Sequence, residues 1–361
     1  MVLPLSITGS VILYVVTFYR SSVALNSRTR SKFARMVLAS VLPFIIAGLR
    51  YNVGWDYGSY VWGFELFDPS ISVYDIFTTR GFGDSIGLDL VLLFTKSLNS
   101  RFLFLAVTSF LCYGPAFLYL IDEWDDDKRI IKLSAFVTCF TLLFTGYSAI
   151  KQGIAISFCL YSLKYVSRRK PFGFIVCLII AYLFHSTAIV FFPVYFLWNY
   201  RKKMPWWGKF LSIGVAFAIV VFFEPIVGTL GGDRFSSYGT QLLQTNNYLF
   251  LLMLAWLTIY LYFRKLLVAL DKRNELLILL YAVGTILMLI GYRNAFAKRI
   301  AYYFRPVEIV LLPQLSFAFT DRSRKIVDVM IALYVVAILV LTESGTAMDM
   351  APLPYSFIFG K

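Results

Sequence analysis

Apolar residues fall in long uninterrupted blocks along this chain, separated by short charged links. The stretches 2–19, 33–49, 101–121, 130–147, 150–166, 207–227, 247–263, 275–292, 299–319 and 326–342 each approach the length of a bilayer-crossing helix, which needs about 20 residues at about 1.5 Å of rise each. Without water to bond the backbone, such runs must be helical. The alternating ten-residue pattern of a membrane barrel is absent. Residues 171–198 start and finish beside basic links, so they are expected to go out and back as two shortened helices, with His185 near the tip. Residues 86–98 are amphipathic and short, and read as a re-entrant or interfacial helix. The pattern therefore predicts an all-α polytopic integral membrane protein. About 12 transmembrane helices are expected, in a single domain over residues 1–361 with external segments 50–100 and 228–246.

Composition agrees: 59% of the 361 residues are hydrophobic and 15% charged, against roughly 45–50% and about 25% in soluble domains. The four cysteines, Cys112, Cys139, Cys159 and Cys177, all lie in apolar segments without metal-ligand spacing and read as small core residues. Val2 to Tyr19 lacks a basic leader and a small-residue cleavage site, so it reads as a span and not as a signal peptide.

The net charge of +14 invites a nucleic-acid reading, but its distribution argues against one. The basic residues cluster in links, among them Arg20 to Arg35, Arg168 to Lys170, Arg201 to Lys203, Arg264 to Arg273 and Arg322 to Lys325. The positive-inside rule puts these links in the cytoplasm, leaving the N-terminus and residues 50–85 outside. The excess then reflects topology and attraction to anionic lipid. No phosphate-binding glycine loop, HExxH or GxSxG appears.

Polar residues on the outer side need separate explanations. Asp56 is placed to cap a helix starting at Tyr57, with Tyr57 and Tyr60 on one face. That segment reads equally as an aromatic-anchored interfacial helix and as a site where Arg50 binds an anion while Asp56 and the tyrosines meet a hydroxylated substrate. Lys151, beside Gln152, either snorkels or binds. Arg293, Lys298, Arg299 and Arg305 place four cations within 13 residues. An Arg305–Glu308 pair explains one of them; ionisable groups in spans otherwise face a cavity or a partner. His185, the single histidine, reads either as a hydrogen-bonded helix contact or as a general base.

These residues carry a resemblance. Arg-Tyr-x-x-Gly-x-Asp-Tyr-x-x-Tyr at Arg50–Tyr60, Lys151-Gln152-x-x-Ala155, Ala-x-x-x-His-x-Ser/Thr-Ala at Ala181–Ala188, Arg299 with Tyr302 and Tyr303, and Pro354-Tyr355 occur in order. In this the chain resembles the Wzy/EpsG family of bacterial polysaccharide polymerases. Lys151 stands where members commonly have arginine, and Gly87-Leu88-Asp89 where many have Glu-Pro. The resemblance implies a GT-C-like glycosyltransferase of the bacterial inner membrane with a periplasmic active face. Its implied substrate is an undecaprenyl-pyrophosphate-linked oligosaccharide, alongside membrane lipid and a chain-length regulator as candidate partners, with no cofactor, metal or nucleic acid. Asp56, His185 and Arg299 become the expected catalytic residues. Arg50, Tyr57, Tyr60, Lys151, Gln152, Arg293, Tyr303 and Arg305 are the expected substrate contacts. In that scheme the external cations hold the pyrophosphate, Asp56 or His185 takes the acceptor proton, and tyrosines stack on sugars. An O-antigen ligase, or a flippase or exporter of the same lipid-linked sugar, would share the external cations. Acyl transfer at His185 lacks the companion carboxylate.

Overall fold

The computed structural model describes residues 2–27, 31–79, 85–124, 128–200, 248–292, 295–344 and 351–358. The expected span 207–227, the loop 228–246 and Arg293 lie outside the described residues. Ser6 caps the first helix by accepting the Gly9 N–H at 3.0 Å, so α1 (Ile7–Leu25) begins later than the apolar run. Residues Val2–Pro4 ahead of it form a strand, β1. There follow α2 (Lys32–Gly48), α3 (Tyr57–Leu66), α4 (Val73–Thr79), α5 (Ile86–Ser97) and α6 (Arg101–Trp124). Next come α7 (Lys128–Thr138), a π-turn at Cys139–Leu143, α8 (Phe144–Ser148), α9 (Ile150–Ser167), α10 (Pro171–Phe184) and α11 (Pro193–Tyr200). The last described elements are α12 (Tyr248–Tyr262), α13 (Arg264–Leu270), α14 (Asn274–Ile290), α15 (Ala295–Phe304), α16 (Glu308–Leu315), α17 (Asp321–Glu343) and β2 (Ser356–Ile358).

The all-helical membrane architecture holds, but the expected dozen continuous spans do not appear among the described residues. Four helices have the length and composition to cross: Ile7–Leu25, Arg101–Trp124, Arg129–Ser148 and Asp321–Thr342. A fifth results if α12 and α13, bent by 70° at Phe263, count as one. Three expected spans, α2, α9 and α14, are continuous but only 17 or 18 residues long, and another is broken within its apolar run. The expected helix 299–319 is divided at Arg305–Val307, where Pro306 has no N–H to continue the ladder. The 171–198 run divides at His185, whose backbone is extended (φ −154°, ψ 114°). Phe174 and Tyr195 then stack at 5.3 Å, and the Asn199 amide donates to the Val166 carbonyl at 3.2 Å, so this segment does double back. α5 has 12 residues, about 18 Å of helix, too short for a core of about 30 Å.

α6 is the central helix, packed against α2 and α9, with α1 on α2 and α10 on α9. α14 pairs with α15, and α12 packs on α14. At one end the basic links converge on two adjacent acids. Lys32 and Lys164 reach Asp122 at 3.2 and 2.8 Å. Arg168 reaches Glu123 at 2.6 Å, and Arg273 bonds the same carboxylate. Four helix ends are thus tied at the face that carries the basic links. At the other end the chain termini meet: β1 and β2 pair antiparallel, Val2 opposite Ile358.

Candidate functional site

The end opposite the ionic clasp is organised by a helix break. Ala149 (φ −125°, ψ 63°) separates α8 from α9 and points the chain back into the bundle. The loop leaving α2 is seated on this break. Gly54 takes φ +111°, and a Cβ there would lie 2.1 Å from the Tyr147 carbonyl oxygen, so only glycine lets the two backbones approach this closely. The next residue, Trp55, donates its N–H to Ser148 Oγ at 3.2 Å. Asp56 is carried to the start of α9 as a result. α3 starts at Tyr57 as the sequence predicts, but the predicted cap is absent. Asp56 has φ −101°, ψ 12° and makes no capping bond, because capping by the side chain requires an extended backbone. Asp56 lies instead where the charges of Arg299 and Lys151 act on it.

Two more segments close on the same place. Gln152, on the first turn of α9, donates its side-chain amide to the Arg299 carbonyl at 2.7 Å, fixing α15 to α9. The turn after His185 is held to α15 by the buried Thr187–Tyr303 hydroxyl pair at 3.0 Å. The charges of Lys151 and Arg299 bear on both Asp56 and His185. Asp56, Lys151, His185 and Arg299, from four separate segments, therefore share one electrostatic neighbourhood. Partial burial raises the Asp56 carboxyl above its ordinary value, and the two cations pull it back only in part.

The other face of α15 borders a cavity of about 440 Å³. Lys298, Tyr302 and Arg305 line it from α15 and its end, as their shared helical face predicts. Gln152 and Ser148 line it where it meets the Asp56 loop. Its floor is the Arg305–Glu308 pair, 3.0 Å apart with Glu308 4% exposed, so Arg305 is largely neutralised. The π-turn, α8 and α17 complete the walls with Phe140, Thr141, Thr145 and Tyr334. π-turns inside helices recur at functional sites; no residue pattern announces this one, and Tyr334 reads in the sequence as one more span residue.

A sequence model of the EpsG family matches residues 33–357. The chain belongs to the EpsG family. No curated protein and no solved structure matches it. Family membership makes it, in general terms, a polysaccharide polymerase, and its apolar helices agree with a membrane protein of polysaccharide biosynthesis.

In this EpsG protein the first and last motifs of the pattern lock onto each other. Arg50 bridges Phe357, and the Tyr51 N–H donates to Ser356 at 2.9 Å. The Arg50 side chain is fully buried, with its guanidinium 4.3 Å over the Tyr147 ring and no hydrogen-bond acceptor on any of its three nitrogens. Burial lowers its pKa from the ordinary value, opposed by Tyr147, Tyr57 and Tyr355. Arg50 is thus placed under the C-terminal strand and away from the cavity lining. Tyr57 is buried, and its hydroxyl donates to the Arg50 carbonyl at 3.3 Å. Tyr60 is half-buried, with its hydroxyl at the backbone amides of Ile150 and Lys151. Tyr303, 3% exposed, is occupied with Thr187. Of the tyrosines expected to stack on sugars, Tyr57 and Tyr303 are thus buried and hydrogen-bonded within the protein, and Tyr60 is half-buried; Tyr302 and Tyr334 line the cavity.

Proposed function

We propose that this EpsG protein is a membrane glycosyltransferase that joins oligosaccharide repeat units carried on undecaprenyl pyrophosphate, on the periplasmic side of the bacterial inner membrane. The observation that carries the reading is the meeting of Asp56, Lys151, His185 and Arg299 at one end of the bundle. Transfer needs two things there. An acceptor hydroxyl must lose its proton as its oxygen attacks the anomeric carbon, and Asp56 is the base that takes it. The bond from the anomeric carbon to the diphosphate oxygen breaks, and the leaving lipid diphosphate gains a negative charge. Arg299 and Lys151 stabilise that charge, so no metal is called on for the purpose. Lys151 offers a point charge where an arginine would offer a planar fork, so the bidentate contact falls to Arg299. His185, beside the same cations, orients the acceptor or relays its proton. Gln152 holds Arg299 in place through its carbonyl.

An exporter of the same lipid-linked sugar would also need cations and could couple a carboxylate to proton movement, so the product formed separates the two readings. Deleting the gene and resolving surface polysaccharide by electrophoresis tests the proposal. Single repeat units should replace the ladder, and complementation with Asp56→Ala, His185→Ala or Arg299→Ala should fail to restore it. Long chains retained on the lipid but absent from their final acceptor would point to a ligase instead.

A further inference from the structure

The cavity on the far face of α15 has a chemistry unlike that of an anion site. Of its charged groups, Arg305 is paired with Glu308 at 3.0 Å, leaving Lys298 as the unbalanced cation among the described lining residues. A diphosphate seated at the floor would meet the Glu308 carboxylate. The remaining polar groups are neutral: the Gln152 amide, the hydroxyls of Thr141, Thr145 and Ser148, and the phenols of Tyr302 and Tyr334. Thr141 and Thr145 donate to carbonyls of their own helix at 3.0 and 2.8 Å, so their oxygens present lone pairs. Behind the floor, Tyr260 is fully buried beside the Arg305–Glu308 pair, and its hydroxyl has no hydrogen-bond partner. The walls include the aromatic rings of Phe140 and Phe144. Alternating donors and acceptors, one ion pair offering both, and flat apolar faces are what a sugar ring recognises through its hydroxyls and its C–H faces. The volume lies in the range of small-molecule pockets, about 300–1,000 Å³.

Position adds to chemistry. Ser148 and Gln152 line the cavity and also hold Trp55 and the Arg299 carbonyl, the immediate supports of the reactive cluster. A ligand in the cavity therefore touches the two side chains that hold the Asp56 loop and α15 in place. We propose that this cavity is the saccharide subsite for the acceptor repeat unit, with Glu308 and Tyr334 determining which sugar it takes and Arg305 serving the sugar and not the diphosphate. This rests on the polymerase reading given above.

The probes are the free repeat-unit oligosaccharide, released from the host polysaccharide and carrying no lipid or phosphate, and farnesyl diphosphate. Binding of each to the purified full chain in detergent is measured by calorimetry for wild type, Glu308→Gln, Tyr334→Phe and Arg299→Ala. Wild type should bind both. Glu308→Gln and Tyr334→Phe should weaken the oligosaccharide at least tenfold and leave farnesyl diphosphate within twofold; Arg299→Ala should do the reverse. Tyr334→Phe removes one hydroxyl only, and a melting temperature equal to wild type separates lost contact from lost fold. Unchanged oligosaccharide binding in both Glu308→Gln and Tyr334→Phe would overturn the subsite. So would a wild type that does not bind the oligosaccharide, or loss of the diphosphate instead in those two variants. The polymerase reading fails separately, by an intact ladder in the deletion strain.

Discussion

Replacing Gly54 by alanine tests whether the reactive cluster depends on how the loop after α2 sits on the helix break. The added Cβ would stand 2.1 Å from the Tyr147 carbonyl oxygen and 2.7 Å from its carbon. The obstacle is backbone, so no side chain can swing aside. Restoring an ordinary C···O contact of about 3.3 Å moves the loop away by about 1 Å. Backbone strain at φ +111° adds on the order of 1–3 kcal/mol. Asp56 lies two residues on and moves with the loop, away from Lys151 and Arg299. A displacement of about 1 Å between reacting groups costs on the order of 100-fold in rate. The assay is complementation of the deletion strain, with polysaccharide resolved by electrophoresis and the protein quantified by immunoblot of membranes. Gly54→Ala should leave the protein in the membrane and abolish the ladder. Gly63→Ala is the control. Nothing lies within 4 Å of its Cβ position, and alanine in a helix gains about 0.5–1 kcal/mol over glycine, so the ladder should be normal. A full ladder from Gly54→Ala at wild-type protein level would refute the idea that this seat positions Asp56.

Other consequences are as direct. Asp56 must be ionised to accept a proton, and its pKa is raised by burial. The acid limb of activity should therefore lie at higher pH than an ordinary aspartate gives, with activity lost as pH falls through that raised value. Asp56→Asn should remove the limb together with most of the rate, as a pH profile of the purified enzyme would show. Tyr303→Phe deletes the 3.0 Å bond to Thr187; it should cost about 1 kcal/mol, read as a lowered melting temperature, while the ladder persists. Glu123→Ala leaves Arg168 and Arg273 without their shared carboxylate. Arg168 is 46% exposed and Arg273 keeps Asp271, so no buried cation is stranded, and the loss should be about 1.5–3 kcal/mol, as for lost charged hydrogen bonds. An unchanged melting temperature would contradict the clasp.

Helix type and most helix ends were legible because apolar length and charged links report them directly. α2, α6, α9, α12, α14 and α17 start and stop within a few residues of the apolar runs. The doubling back at His185 was legible from the basic residues at both ends of its run. The breaks within runs were harder to see. Pro306 marks one, but Cys139–Leu143 does not differ in composition from an uninterrupted helix; the break at Ala149 falls at the expected boundary between the runs 130–147 and 150–166. The break at Pro306 divided an expected span, and the π-turn residues line the cavity. For the site, helical spacing separated Lys298, Tyr302 and Arg305 from Arg299 and Tyr303, and the fold keeps them on two faces. Spacing carries no information on depth. Arg50 and Tyr57 therefore read as ligand contacts, although the fold buries Arg50 under the C-terminal strand and Tyr57 in the cluster with Phe64 and Phe104. Asp56 read as a helix cap because residue type and position were right; only the backbone angles reveal that its carboxylate is left for Arg299 and Lys151.

The most direct test of the account is conversion of lipid-diphosphate-linked repeat units by the purified protein, followed by electrophoresis of the products, for wild type, Asp56→Asn, Arg299→Ala and the double variant. Wild type should build chains longer than one unit. Each single variant should fall by roughly 100-fold or more, and the double variant should fall little further, as expected for groups that act together on one bond. Single variants that polymerise at the wild-type rate, or a wild type that leaves every unit unjoined, would contradict it.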